Sequence, residues 1–301
     1  MTINRYWLVL AVYQLSLTFA ALGQIPEFNS ENAYNYLKKQ CEFGPRNPGS
    51  DGHTKCRNWL LAELNKSTSE TYTQPFSAIE SLTGNKVKLY NIIGQYGDSD
   101  EFGLMLCAHW DTRVHADQDD DVSLRKTPVL GANDGASGVA VILEICRIMA
   151  ENPPPRPITV VFFDGEDMGR TNHSDEFALG SEYWATHPIP FVPEDAILLD
   201  MVGDTDLEIP IELYSYKNAP DLIRTLWNLA DIHGLDAFQD YYGSPVTDDH
   251  LNLQRVGIRA IDIIDFDYPF WHTTEDTPDK CSAESLYQVG TLLVKYIYGN
   301  E

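Results

Sequence analysis

Basic residues are scarce. Lys and Arg total 21 against 45 Asp and Glu, for a formal net charge of -24 over 301 residues. A nucleic-acid binder needs a basic surface, so that class is excluded. The acidity itself names no partner; it describes a soluble, mutually repelling surface. Cysteine is sparse as well: Cys41, Cys56, Cys107, Cys146 and Cys281, with no Cys-x-x-Cys pair. Thiolate zinc and dithiol redox motifs are therefore missing. The odd count leaves at least one free thiol in a monomer. Cys107 and Cys146 sit in apolar contexts and are expected as buried packing residues. Cys41 and Cys56 flank a Gly/Pro-rich turn; in an oxidising compartment they would either pair or stay as two reduced thiols. Beyond residue 23 no apolar run is long enough to cross a bilayer, and no repeat or interposed linker divides the chain.

Residues 1–23 read as a signal peptide, with Arg5 as the positive start, a mostly apolar stretch Trp7 to Leu22, and Ala21-Leu22-Gly23 as a small-x-small cleavage pattern. A membrane anchor is the competing reading, but Gln14 and Ser16 interrupt a run already short for a span. No Cys follows the run, which argues against lipidation there. The expected product is residues 24–301, secreted or periplasmic, with no stable membrane insertion after cleavage.

Strand and helix signals alternate through the rest. Ile158 to Phe163 is β-branched and aromatic without a polar break, a fully buried strand. Gly103 to Ala108, Ala196 to Met201 and Ile258 to Ile264 read the same way, and residues 70–95 carry alternating, β-rich segments. Two helices are expected within 30–66, the first capped by Ser30, with further helices over Val139 to Ala150, from Gly180, over Asp221 to His233 and over Ala283 to Tyr298. This alternation predicts a single α/β domain with a mixed, mostly parallel central sheet flanked by helices.

Those strands end in acids and imidazoles. His109 and Asp111 follow the first, Glu166 and Asp167 the second, Asp200 closes the third, and His272 lies beyond the last. Asp134 opens a helix between the first two, inside Gly131-Ala132-Asn133-Asp134-Gly135-Ala136-Ser137-Gly138. An α/β sheet puts its ligands outside the carboxyl ends of its strands. Zinc takes imidazole nitrogen and carboxylate oxygen. Each residue also has a plainer role: His109 as a buried hydrogen-bonded ring, Asp134 as a helix cap, Asp200 as a cap or ion-pair partner, Asp164 as an Asx turn. His115, His173, His187 and His233 read as surface residues. The acidic loop His115 to Lys126, containing Asp119-Asp120-Asp121, lacks the spaced ligands of a calcium site and reads as a solvated loop over the site. Val246-Thr247-Asp248-Asp249-His250 begins a polar loop. What unites the set is that acids repeatedly ending apolar strands are costly unless something cationic compensates them.

As an ordered set, His109-x-Asp111, the Gly-Ala-Asn-Asp-Gly-Ala-Ser-Gly segment, Glu166-Asp167, Asp200-Met201 and His272-Thr273 resemble the zinc exopeptidase superfamily, peptidase family 28 of the metallo class. The resemblance runs from about Phe43 to the C-terminus. It implies one of two chemistries. Animal-type glutaminyl cyclases convert N-terminal Gln of peptides and proteins to pyroglutamate with one zinc. Aminopeptidases hydrolyse N-terminal residues with two. Trp271 before His272, the insert Gly169 to Leu179, and Asp248-Asp249-His250 resemble the cyclases; Asp167 departs from them, standing where animal enzymes carry Glu. In the cyclase, the resemblance implies zinc on Asp134, Asp167 and His272, and Glu166 as the proton shuttle. It also implies Asp200 and Asp248 in a carboxyl hydrogen-bond network with Glu166, and Trp271 as pocket wall. In the aminopeptidase, Asp134 would bridge to a second zinc on His109 and Asp200.

Overall fold

The computed structural model describes residues 25–97, 103–187 and 193–299. The expected signal peptide, residues 1–23, lies outside the described residues. In chain order the elements are α1 (Ser30–Glu42), α2 (Asp51–Leu64), β1 (Glu70–Ile79), β2 (Lys86–Tyr96), β3 (Leu104–His109), α3 (Ala136–Glu151), β4 (Ile158–Phe163), α4 (Leu179–Thr186) and β5 (Asp195–Asp200). They continue with β6 (Ile209–Ile211), α5 (Leu213–Asn218), α6 (Pro220–His233), β7 (Phe238–Tyr242), α7 (Asp249–Arg255), β8 (Arg259–Ile264) and α8 (Ala283–Tyr298). The first helix opens one residue earlier than Ser30 proposes. Asn29 is its cap, its side chain accepting the Asn32 N–H at 3.0 Å.

Six strands form one sheet in the order β1-β2-β4-β3-β5-β8. β4, β3, β5 and β8 run parallel, while the β1–β2 hairpin joins β4 antiparallel. The sheet is thus mixed and mostly parallel, as the alternation predicts. Every residue of β3, β4 and β5 is buried, because helices cover both faces. Alternate residues supply each face. Leu104, Leu106, Val160, Phe162, Ile197 and Leu199 join the large core beneath α1, α3, α6 and α8. Met105, Cys107, Val161, Phe163 and Leu198 pack with Trp184 of α4 and Leu253 of α7 on the other side. The pair β6–β7 stands apart as a small parallel sheet that the sequence reading does not anticipate.

All five cysteines are buried free thiols, so of the two readings of Cys41 and Cys56 the structure takes the unpaired one. The small residues opening α3 have a packing reason. A Cβ on Gly138 would lie 2.2 Å from the Leu199 carbonyl of β5. Only glycine lets the helix approach the sheet so closely. We expect Gly138→Ala to push α3 off β5 and cost roughly 1–3 kcal/mol, read as a lower urea midpoint.

Candidate metal centre and active site

The carboxyl ends of the four parallel strands share one edge, and that edge carries the site. β3 and β4 lie in register with His109 opposite Phe163, so whatever follows each strand meets the other. Asp111 uses this. Its two carboxylate oxygens accept the backbone N–H of Glu166 at 3.1 Å and of Asp167 at 3.2 Å, fixing the turn that presents both acids. Asp164, in the same turn, is not an Asx residue. It accepts from His53 Nε2 at 2.9 Å and from the Tyr90 N–H at 2.7 Å, and His53 stacks on Trp110 at 4.4 Å between centroids.

Asp134 does not cap α3, whose N-terminal Gly135 offers no side-chain bond. Instead the amides of Asn133 and Asp134 are held by Asp276 at 2.8 and 3.2 Å, freeing the Asp134 carboxylate. Burial pushes the Asp276 carboxyl up to about 7, with the charge of Asp134 adding to it. A Cβ on Gly135 would sit 2.3 Å from His109 Nε2, so glycine is what lets this turn lie against the imidazole.

Asp134, Asp167 and His272 meet. Their ligand atoms all lie within 4.8 Å of one another and all three residues are buried. His272 Nε2 is 3.2 Å from Asp167 Oδ1 and 3.7 Å from Asp134 Oδ2. Donors about 2.0–2.1 Å from a tetrahedral zinc stand about 3.3 Å apart, so this trio fits that ion. Asp167 Oδ2 is buried without a hydrogen-bond partner among the described residues, an atom that a cation would satisfy. His272 holds a left-handed backbone, φ 57°, a conformation costly for a non-glycine residue and concentrated at functional sites. Burial alone would lower the His272 pKa, but Asp167 and Asp117 hold it up to about 9. Burial works against ionised Asp167 too, and there His272 and Arg113 outweigh it and lower its pKa.

A second trio adjoins the first. His109 Nε2 lies 3.1 Å from Asp134 Oδ1 and 3.1 Å from Asp200 Oδ1. Both trios share Asp134, the arrangement expected for its bridging role.

Glu166 is half-buried on the wall of a cavity of about 470 Å3 that Asp134, Asp167, Asp200, Asp248 and His272 also line. Burial first, and then the charge of Asp248, raises the Glu166 pKa well above the ordinary carboxylate range. Asp248 acts on Glu166 through its charge, and Asp200 acts in the same way on Asp248. Asp200 also bonds to His109 at 3.1 Å, and Asp248 caps α7 through the Asp249 N–H. α7 itself replaces the polar loop expected there. Trp271 walls the cavity, its ring 3.7 Å from that of His272 and 5.4 Å from Phe266.

The insert after Asp167 also lines the cavity, through Asn172, His173, Ser174 and Phe177. His173 is exposed, as read, yet stands at the mouth. The acidic loop is less solvated than expected: Asp119 is buried and accepts the N–H and hydroxyl of Thr274, at 2.9 and 2.6 Å, two residues past His272. Reading by motif misses Asp276, Asp117, Arg113 and His53, whose contacts with the site residues are remote in sequence.

Behind Asp248 lies a second acidic layer, Asp262 and Glu212 around His250. Burial opposes ionisation of Glu212, but His250, the Ser215 hydroxyl and the amides of Tyr214 and Ser215 lower its pKa to about 2. A depressed carboxylate contributes stability that is present above its unfolded pKa and lost as pH falls through the folded one. Glu212→Gln should therefore cost about 3 kcal/mol at neutral pH, the figure that its shift implies. The difference from wild type should shrink as pH falls from 4.5 toward 2, as followed in urea melts.

A mixed sheet whose carboxyl edge gathers carboxylates and imidazoles in a crevice defines the α/β zinc-exopeptidase class. The chain belongs to peptidase family M28, whose model matches residues 91–297. It is similar to the solved structure of a glutaminyl cyclase from Bacteroides thetaiotaomicron bound to N-acetylhistamine, at 37% identity and a TM-score of 0.88, covering 92% of this chain and 100% of that one. A leucine aminopeptidase precursor from the same organism is as similar, at 37% identity and TM-score 0.89 over 92% and 99%. The glutaminyl-peptide cyclotransferase of Bos taurus is 22% identical over 291 residues, 84% of this chain and 77% of its own.

Proposed function

We propose that this protein is a glutaminyl-peptide cyclotransferase, converting the N-terminal Gln of peptides and proteins to pyroglutamate with release of ammonia. The observation that carries the reading is Glu166, a half-buried carboxyl with a raised pKa, on the wall of the cavity that the Asp134–Asp167–His272 trio lines. The similarity to solved glutaminyl cyclases supports it.

Zinc would be held by Asp134, Asp167 and His272, and when bound it supplies Lewis-acid polarisation of a carbonyl. The chain's own groups do the rest. The substrate's α-amine nitrogen bonds to the carbonyl carbon of its side-chain amide, Cδ, and the amide nitrogen leaves that carbon as ammonia. Glu166 accepts the proton that the α-amine sheds and returns it to the departing nitrogen, so no net charge is left behind. Asp248 and Asp200 line the same wall, and burial, with the charge of Asp248 adding to it, raises the proton affinity of Glu166. Trp271 presents an apolar face that excludes water and orients the side chain. Because attack is intramolecular, holding the amine against the amide carbonyl carbon supplies much of the acceleration.

A second reading, a di-zinc aminopeptidase, is favoured by one observation: the His109–Asp134–Asp200 trio beside the first. Cyclisation of a Gln-peptide assayed beside hydrolysis of a Leu-anilide separates the two. The first alone is expected; the second alone would replace our reading.

Export belongs to the proposal. Residues 1–23 carry the features of a signal peptide, and no helix among the described residues is long and apolar enough to cross a membrane.

A further inference from the structure

Arg113 and Asp117 enter no step above, yet they touch two of the three residues of the first trio. Arg113, four residues past the end of β3, is buried at 4% exposure. Its Nε and Nη2 donate to the two oxygens of Asp117, each at 2.9 Å. Its Nη1 donates to Asp167 Oδ1 at 3.0 Å and to the Gly169 carbonyl at 2.7 Å. Asp117 Oδ1 in turn stands 3.4 Å from His272 Nδ1, while its other oxygen accepts the Thr171 hydroxyl. The Phe177 ring lies 5.2 Å from the guanidinium. One ion pair therefore contacts Asp167, His272 and the insert that walls the cavity.

Buried ion pairs add little net stability, because desolvation offsets their attraction. What they supply is fixed geometry. A carboxylate beside the far nitrogen of a ligating imidazole sets the ring's orientation and tautomer. A guanidinium fork holds a carboxylate in one plane, which a lysine's point charge does not. Asp167 has one methylene fewer than a Glu, so its reach depends on being held at Oδ1.

We propose that Arg113 and Asp117 are positioning residues that hold Asp167 and His272 in ligand geometry and couple that geometry to the 169–177 insert. This rests on the reading of Asp134, Asp167 and His272 as zinc ligands. The coupling runs both ways, since linkage is reciprocal: zinc orders the insert, and a loosened insert holds zinc less well.

The test uses the full-length protein and Asp117→Asn, Arg113→Lys and Thr171→Val, loaded with zinc alone. Two readouts are followed: zinc release to a chromophoric chelator, and tryptic cleavage at Arg170, an exposed site in the insert. Asp117→Asn and Arg113→Lys should release zinc roughly 10–100-fold faster, read at a temperature where the apo form of each variant is still folded. Zinc should protect Arg170 in the wild type and fail to do so in both variants. Thr171→Val, which frees only the insert, should hasten release by a smaller factor. Wild-type release rates in a folded Asp117→Asn, the isosteric change, would overturn the proposal, as would zinc-independent cleavage of the wild type. A wild-type protein that binds no stoichiometric zinc would instead overturn the ligand assignment itself, and this proposal with it.

Discussion

Glu166→Gln is expected to lower kcat for cyclisation of a Gln-peptide by roughly 10²–10⁴-fold, the usual contribution of a positioned acid–base group. The substitution keeps the shape of the side chain and its N–H bond to Asp111, so the turn should stand. Gln neither accepts the proton of the α-amine nor returns one to ammonia. KM should change little, because the loss falls on the step where protons move. Zinc content should be that of the wild type. Two simpler explanations are thereby separated: a variant that loses zinc has lost geometry, and one that raises KM alone has lost binding. Wild-type turnover in a zinc-loaded Glu166→Gln would remove the mechanism.

The second large effect is metal removal. Dialysis against a chelator should abolish cyclisation, and a single equivalent of zinc should restore it. Stability should follow, since a ligand that binds only the folded state adds about 4 kcal/mol at a thousandfold excess over its Kd. The apo protein also gathers Asp134, Asp167 and Asp200 at one sheet edge without the cation, a cost that shows as a lower Tm. His272→Ala should reproduce the apo state: no stoichiometric zinc, no turnover, a fold otherwise retained. A requirement for two equivalents would move the reading to the di-zinc aminopeptidase, with His109 and Asp200 as the additional ligands.

The parts of this site that the sequence exposes are those governed by local rules. A buried parallel strand must be apolar on both faces, so Ile158–Phe163 declares itself, and the acids that follow stand out by contrast. The same rule finds β3, β5 and β8 within a residue of their ends. Helix α8 runs from Ala283 to Tyr298 as its periodicity predicts. The convergence of Asp134, Asp167 and His272 was legible only through the ordered resemblance, since spacing carries no information about which strand ends meet.

What escaped depends on contacts across the chain. Asp164 looks like a turn residue because its partner His53 lies 111 positions away. Asp134 resembles a cap until Asp276, 142 positions on, is seen holding its amide. The segment from Asp248 reads as polar loop because three consecutive polar residues mask a short helix whose N-terminus is fully enclosed. Asp117 falls in a loop that reads as solvated, and the role of Arg113 and Asp117 appears only when Asp167 and His272 are placed on either side of them.

Anomalous diffraction at the zinc edge, from crystals of the protein as purified, tests the central assignment most directly. One peak within bonding distance of Asp134, Asp167 and His272, with the Glu166 carboxyl beside it and unligated, is the expected result. A map with no peak there, or with its density instead between His109 and Asp200, would contradict it.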